Sequence, residues 1–160
     1  MKKFILLYFL FLAFFFAVFY ADTSIFSKII NEAQRDLTLH ILNLFLDPGQ
    51  LKGIDIWINP HYKIIITKAC NGMIPILFLW AAIAAYPAKL RHKLLWMTVG
   101  YVLFSLVNIF RILLVVYFVE QKGGATNFHW SHDFLGNTIL LGVGLVLFVA
   151  FIKTSATKKL

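Results

Sequence analysis

The sequence has little charge and a single cysteine, and each shortage excludes a class of protein. Only 14% of the 160 residues are charged, whereas 61% are hydrophobic. A soluble domain carries about 25% charged and roughly 45–50% apolar residues. The polar residues are too few to cover a soluble enzyme or to keep a chain disordered, and one cysteine excludes a disulfide-stapled secreted domain. We therefore expect a membrane protein.

Four apolar segments predict an all-α polytopic membrane protein with a single transmembrane domain over residues 1–160. A bilayer core of about 30 Å needs roughly 20 apolar residues in a helix. The predicted spans are residues 4–21, 72–88, 94–119 and 134–152. The first resembles a signal peptide, but its apolar run is longer than the usual 7–15 residues, and Phe19 lies where a cleavage site needs a small residue. We expect an uncleaved anchor.

Residues 22–68 form the longest segment between the predicted spans. Apolar residues at helical spacing over 25–46 predict an amphipathic helix that lies on the membrane or against the bundle. Further on, two β-prone runs, 54–58 and 63–67, flank an Asn-Pro turn and predict a short β-hairpin. The segment has no room for a separate enzyme domain, so any chemistry must take place at the mouth of the helix bundle.

The basic residues set the orientation of the four spans. Both termini and the loop 89–93 together carry eight cations and no acid, whereas the other side carries six cations and all seven acids. The positive-inside rule places the termini in the cytoplasm and residues 22–68 outside. The net charge of +8 is then a topology signal and an attraction to membrane lipid, and we expect no nucleic-acid partner.

Arg111 interrupts the third span near its outer end. An arginine inside a span costs about 2.5–3.5 kcal/mol on insertion scales, which makes it a candidate functional residue. It shares a helical face with Tyr101, Ser105 and Asn108. A polar stripe within the membrane must face protein or a water-filled cleft. The alternative is an arginine that only anchors the helix end by snorkelling.

Cys70 precedes the second predicted span, in the run Ala-Cys-Asn-Gly. Asn71 is a suitable N-cap, and the positive end of the helix would favour a thiolate. Backbone amides near Asn71 and Gly72 are candidates for binding an oxyanion. The alternative is a small buried cysteine without a chemical role.

His132 lies at the predicted start of the fourth span, where a neutral imidazole suits a general base. His129 is the competing candidate, although it sits beside Trp130 in a predicted interfacial aromatic belt. The remaining histidines, His40, His61 and His92, are expected at surfaces or interfaces. Their spacing matches no metal site, and we expect no metal and no cofactor.

The coincidence of these residues is the main functional signal. One cysteine, one arginine and one histidine come from three spans and fall near the same membrane face, which suits acyl transfer through a thioester. Two alternatives stay open. One is a non-enzymatic scaffold or transporter subunit with a structural cysteine and an anion-binding arginine. The other is a purely hydrolytic intramembrane cysteine protease.

Three motifs in order, Ala-Cys70-Asn-Gly72, Asn108-Ile-Phe-Arg111 and Phe128-His-Trp-Ser-His132, resemble those of the exosortase/archaeosortase family of membrane cysteine transpeptidases, most closely the small exosortase H type. The resemblance implies a nucleophilic Cys70 with Arg111 and His132 beside it, and a supporting Asn108. It also implies a bacterial plasma-membrane enzyme. The partners would be exported proteins with a C-terminal sorting signal made of a recognition motif, one transmembrane helix and a basic tail.

Overall fold

The computed structural model describes residues 2–122 and 137–156. It confirms a helical bundle with a small antiparallel sheet. The helices are α1 (Lys2–Phe19), α2 (Ile25–Leu42), α3 (Met73–Ala85), α4 (Leu90–Lys122) and α5 (Asn137–Ala156), and the strands are β1 (Leu51–Lys52), β2 (Asp55–Asn59) and β3 (Tyr62–Ile65).

Helices α1, α4 and α5 are each long and apolar enough to cross a membrane, and they match three of the four predicted spans. The segment predicted to span over residues 72–88 is helical only in α3, which has 13 residues. At 1.5 Å per residue, α3 is about 20 Å long and shorter than a bilayer core. It ends at Ala85, and the following Tyr86 adopts an extended conformation because the next residue is Pro87. The predicted start of the fourth span, residue 134, lies outside the described residues.

Helix α3 is the central helix of the bundle, since α1, α4 and α5 all pack against it. Most of its side chains are buried, although Phe78 is 45% exposed, and the large buried ones form one apolar cluster with side chains of α4 and α5. The neighbouring helices thus cover most of this short helix. This packing fixes the N-terminus of α3, and the residues just before it, against the middle of α4.

The predicted hairpin is confirmed as β2 and β3, and β1 adds a third strand that the sequence did not predict. Ile56 pairs with Ile64 across the hairpin, and both are buried against the C-terminal half of α4. Helix α4 has 33 residues, or about 50 Å, so it extends beyond a bilayer core and supports the sheet. The sheet therefore lies over the same end of α4 that carries Arg111.

Helix α2 packs against the bundle with its polar face. Four uncharged polar residues are buried at helical spacing, whereas large apolar side chains are exposed on the opposite face, Ile25 at 74% and Ile29 at 62%. A helix turns its polar groups inward when its surroundings are lipid. The helix ends at Leu42, before the predicted end at residue 46.

Gly72 occupies the N-cap position of α3 with φ of +79°, which only glycine adopts at no steric cost. A Cβ atom at this position would lie 3.0 Å from Cβ and Cγ of Asn108 on α4. The absent side chain thus permits both the sharp entry into α3 and its close approach to α4.

Gly72→Ala is expected to destabilise the protein by at least about 1–2 kcal/mol, because alanine is strained at positive φ and its methyl group would press on Asn108. The measurement is thermal unfolding of the protein in detergent. Gly142→Ala in α5 is the matched control, since nothing lies within 4 Å of a Cβ atom there. Equal melting temperatures for the two variants would contradict this account.

Candidate functional site

Cys70 ends a single 3-10 turn, Lys68–Cys70, that joins the sheet to α3. Its amide donates to the Thr67 carbonyl at 2.9 Å, and its Sγ lies 3.8 Å from the Thr67 hydroxyl. The side chain is half-buried and packs against the apolar cluster between the sheet and α4. The turn thus holds the only cysteine of the chain at the junction of three elements.

Asn108 links Cys70 to Arg111. Its Nδ2 donates to the Cys70 carbonyl at 2.8 Å, and its Oδ1 accepts from Nη1 of Arg111 at 3.2 Å. Asn108 is fully buried and Arg111 is 4% exposed. The spacing of three residues on α4 puts both side chains on one face, as the sequence predicted. The structure thus connects three of the predicted site residues through consecutive hydrogen bonds.

Arg111 is a buried cation tied to the Cys70 turn through Asn108. A guanidinium stays protonated in proteins, so α4 carries a permanent positive charge at a buried position. Charge interactions are stronger in such surroundings than in water. A positive charge close to a thiol or an oxyanion favours the ionised form. An arginine that only snorkels would be exposed, and Arg111 is not.

Asn71 is fully buried and uses its side chain within the protein. Its Oδ1 accepts from the Met73 amide at 3.0 Å, and its Nδ2 donates to Asn31 Oδ1 at 2.8 Å. The side chain therefore caps α3 as expected, although Gly72 holds the N-cap position. The Asn71 amide, a predicted oxyanion donor, donates to the Lys68 carbonyl at 3.4 Å within the turn, and its role toward an oxyanion stays a prediction.

Gln34 and Asn31, both on α2, belong to the site and were not singled out from the sequence. Gln34 Nε2 donates to the Asn71 carbonyl at 3.3 Å and to Ser105 Oγ at 2.9 Å, while its Oε1 accepts from the Tyr101 hydroxyl. The signal that could have found them is the stripe of uncharged polar residues at helical spacing, Ser27, Asn31, Gln34 and Thr38.

A polar pocket of about 200 Å³ opens beside the turn, between α2 and the end of α1. Lys68 borders it and binds Asp22 at 2.6 Å as well as the Tyr20 carbonyl. The hydrogen bond and the positive charge of Lys68 lower the pKa of Asp22 below its usual value. The Cys70 turn thus borders polar, solvent-facing surroundings on one side and the buried Arg111 on the other.

His132 and the competing His129 lie outside the described residues. Among residues 2–122, His61 is exposed in the hairpin turn, His40 is exposed on α2, and His92 stacks on Phe151 near the start of α4, at the end opposite Arg111. Within the described part of the chain, no group of three or more His, Cys, Asp or Glu side chains is arranged to hold a metal ion.

Comparison with known proteins agrees with the resemblance carried by the motifs. The family model for transmembrane exosortases (Exosortase_EpsH) matches residues 2–150. No curated protein and no solved structure matches the chain significantly. The matched region runs from α1 through most of α5 and includes the Cys70 turn, Asn108 and Arg111. The chain therefore belongs to the transmembrane exosortase family.

Proposed function

We propose that this membrane protein is a cysteine protease or transpeptidase that cleaves the C-terminal sorting signal of exported proteins through a thioester on Cys70. The observation that carries the proposal is the buried hydrogen-bonded path from the Cys70 carbonyl through Asn108 to Arg111. A cysteine with a purely structural role would not require a buried cation connected to its turn by hydrogen bonds. Family membership supports the exosortase-type role.

The first step is attack of the Cys70 thiolate on the scissile carbonyl carbon. A carbon–sulfur bond forms, and the carbonyl electron pair moves onto the oxygen. When the tetrahedral intermediate collapses, the carbon–nitrogen bond breaks and the amine leaves with a proton. The remaining thioester is then attacked by an acceptor amine, which gives transpeptidation, or by water, which gives hydrolysis.

Arg111 is the residue that stabilises the oxyanion in this proposal. The Asn71 amide is already engaged within the turn, so the main electrostatic contribution falls to the guanidinium. One such donor contributes roughly 2.7–4 kcal/mol in other oxyanion holes. Asn108 holds the guanidinium in place, and its short side chain sets the separation between Arg111 and the Cys70 backbone.

His132 acts as the general base that takes the proton from the thiol, and it then protonates the leaving amine. This role follows from its position in the family-like motif Phe128-His-Trp-Ser-His132. An imidazole suits both transfers because its ordinary pKa lies near neutral pH.

The substrate enters as a transmembrane helix beside the bundle, with its basic tail in the cytoplasm and its recognition motif outside. We place the protein in the bacterial plasma membrane, with both termini cytoplasmic and Cys70 on the extracytoplasmic face. Binding of the substrate helix in the same bilayer would bring the scissile bond to the level of Cys70, which supplies the proximity that acyl transfer needs. The polar pocket beside the turn supports access for water or an acceptor amine.

Cys70→Ala and Cys70→Ser are expected to abolish processing of a co-expressed exported reporter that ends in a sorting signal, because no other thiol exists in the chain. Immunoblotting of the reporter measures the cleaved fraction. Ala69→Ser is the matched control in the same turn and should process normally. Cleavage by Cys70→Ala would end the nucleophile assignment and leave the scaffold or transporter alternatives.

Arg111→Lys is expected to lower kcat by about 10²–10³, since an ammonium lacks the planar fork that reaches Asn108 and the oxyanion together. The initial rate of reporter cleavage by the purified protein is the measurement. Arg91→Lys, at the opposite end of α4, is the control and should retain full activity. Comparable rates for Arg111→Lys and the wild type would exclude a guanidinium-specific role.

His132→Ala is expected to abolish cleavage, whereas His129→Ala should retain most of it, because only one imidazole serves as the base. The same reporter assay applies, with His61→Ala in the exposed hairpin turn as the control. Loss of activity in His129→Ala alone would transfer the base role to His129.

A further inference from the structure

We propose that α2 positions the nucleophile: Asn31 and Gln34 hold the Cys70–Gly72 segment at the distance from Arg111 that the reaction needs. This inference rests on the proposed function of Cys70. Neither residue touches the reacting atoms, so both are positioning residues. The family match covers α2 without assigning it a role.

Gln34 connects three elements through one fully buried amide group. Its Nε2 donates to the Asn71 carbonyl and to Ser105 on α4, and its Oε1 accepts from Tyr101 on α4. These three hydrogen bonds of the side chain are thus directed at the Cys70 segment and at the helix that carries Arg111. The Gln34 side chain therefore fixes the spacing between the Cys70–Gly72 segment and α4.

Asn31 binds the same segment through the side chain of Asn71. Its Oδ1 accepts from Asn71 Nδ2 at 2.8 Å, while its Nδ2 donates to the carbonyls of Phe19 at 2.7 Å and Ser27 at 2.8 Å. Asn31 is 6% exposed. The contact with Phe19 ties α2 to the end of α1, which packs on the central α3.

Two successive carbonyls are therefore held from opposite sides. Asn108 on α4 binds the carbonyl of Cys70, and Gln34 on α2 binds the carbonyl of Asn71. If Gln34 released the Asn71 carbonyl, the Asn71–Gly72 peptide group could rotate, and the segment that carries Cys70 would keep only its attachment to α4 through Asn108 and its link to Asn31. Two of the four buried polar residues of α2, Asn31 and Gln34, thus bond directly to the Cys70–Gly72 segment.

The test uses Gln34→Met and Asn31→Leu, which keep the volume and remove the hydrogen bonds, in the full-length protein in detergent. Because the chain has one cysteine, iodoacetamide alkylation of the cysteine-containing peptide, quantified by mass spectrometry, reports on Cys70 alone. The readout is the alkylation rate at pH 7 divided by the rate at pH 9.5. Access to the thiol affects both rates alike, whereas ionisation next to Arg111 affects only the first.

Both variants are expected to lower this ratio at least fivefold and to lower kcat at least tenfold, with KM changed less than threefold. The variants leave the other charged groups around the turn unaltered, namely Lys28, Glu32, Arg35, Asp22 and Lys68. Thr38→Val is the matched control, because Thr38 is buried on the same face but donates only to the Gln34 carbonyl within α2. It should change neither quantity.

If Gln34→Met or Asn31→Leu fails to fold, Ser105→Ala removes one partner of Gln34 and should show a smaller loss in the same direction.

An unchanged ratio and kcat in folded Gln34→Met, Asn31→Leu and Ser105→Ala would overturn this inference alone. A Cys70→Ala variant that still cleaves the reporter would instead overturn the proposed function. The two failures are distinguishable because the alkylation ratio does not depend on a substrate.

Discussion

The backbone of a turn placed near the hydrocarbon region must find hydrogen-bond partners within the protein, because lipid offers none. The Cys70–Gly72 segment breaks helical structure at this place, between a 3-10 turn and α3. The carbonyls of Cys70 and Asn71 accept from the side-chain amides of Asn108 and Gln34, and the Asn71 side chain accepts from the Met73 amide at the start of α3. The rest of the structure follows from this constraint, since these amides must be carried by helices packed on both sides of the turn.

The energies of these contacts explain why the site needs several of them. Hydrogen bonds between helices in membranes contribute about 0.6 kcal/mol on average and about 1.7 kcal/mol at most. No single bond of this size can hold a buried guanidinium and a thiol in register. A connected set on α2, the turn and α4 can, because the bonds constrain the same segment together.

The sequence predicted the bundle, the hairpin, the position of Cys70 before a helix and the polar stripe on α4. Each of these follows from hydrophobic periodicity or from residues that form turns and helix caps. The sequence did not predict that Asn31 and Gln34 of α2 bind the segment around Asn71. Helical spacing separates a polar from an apolar face but does not say which of the two packs against the protein. In a soluble protein the apolar face would pack inward, whereas beside lipid the polar face with Asn31 and Gln34 does. The sequence also did not predict that α3 is short. The apolar run continues through Tyr86 and Pro87, whereas the helix ends before them. Strand β1, with two residues, is too short to leave a periodic pattern.

The chemistry assigned to the site depends on one covalent bond between the substrate and the sulfur of Cys70. The most direct measurement is mass spectrometry of the full-length protein, rapidly quenched with acid during turnover of a purified reporter. We expect an adduct in which the N-terminal product is joined to Cys70 through a thioester, with the corresponding increase in protein mass, and hydroxylamine should release it. Cleavage that proceeds without a Cys70 adduct, or with the adduct on another side chain, would contradict the account.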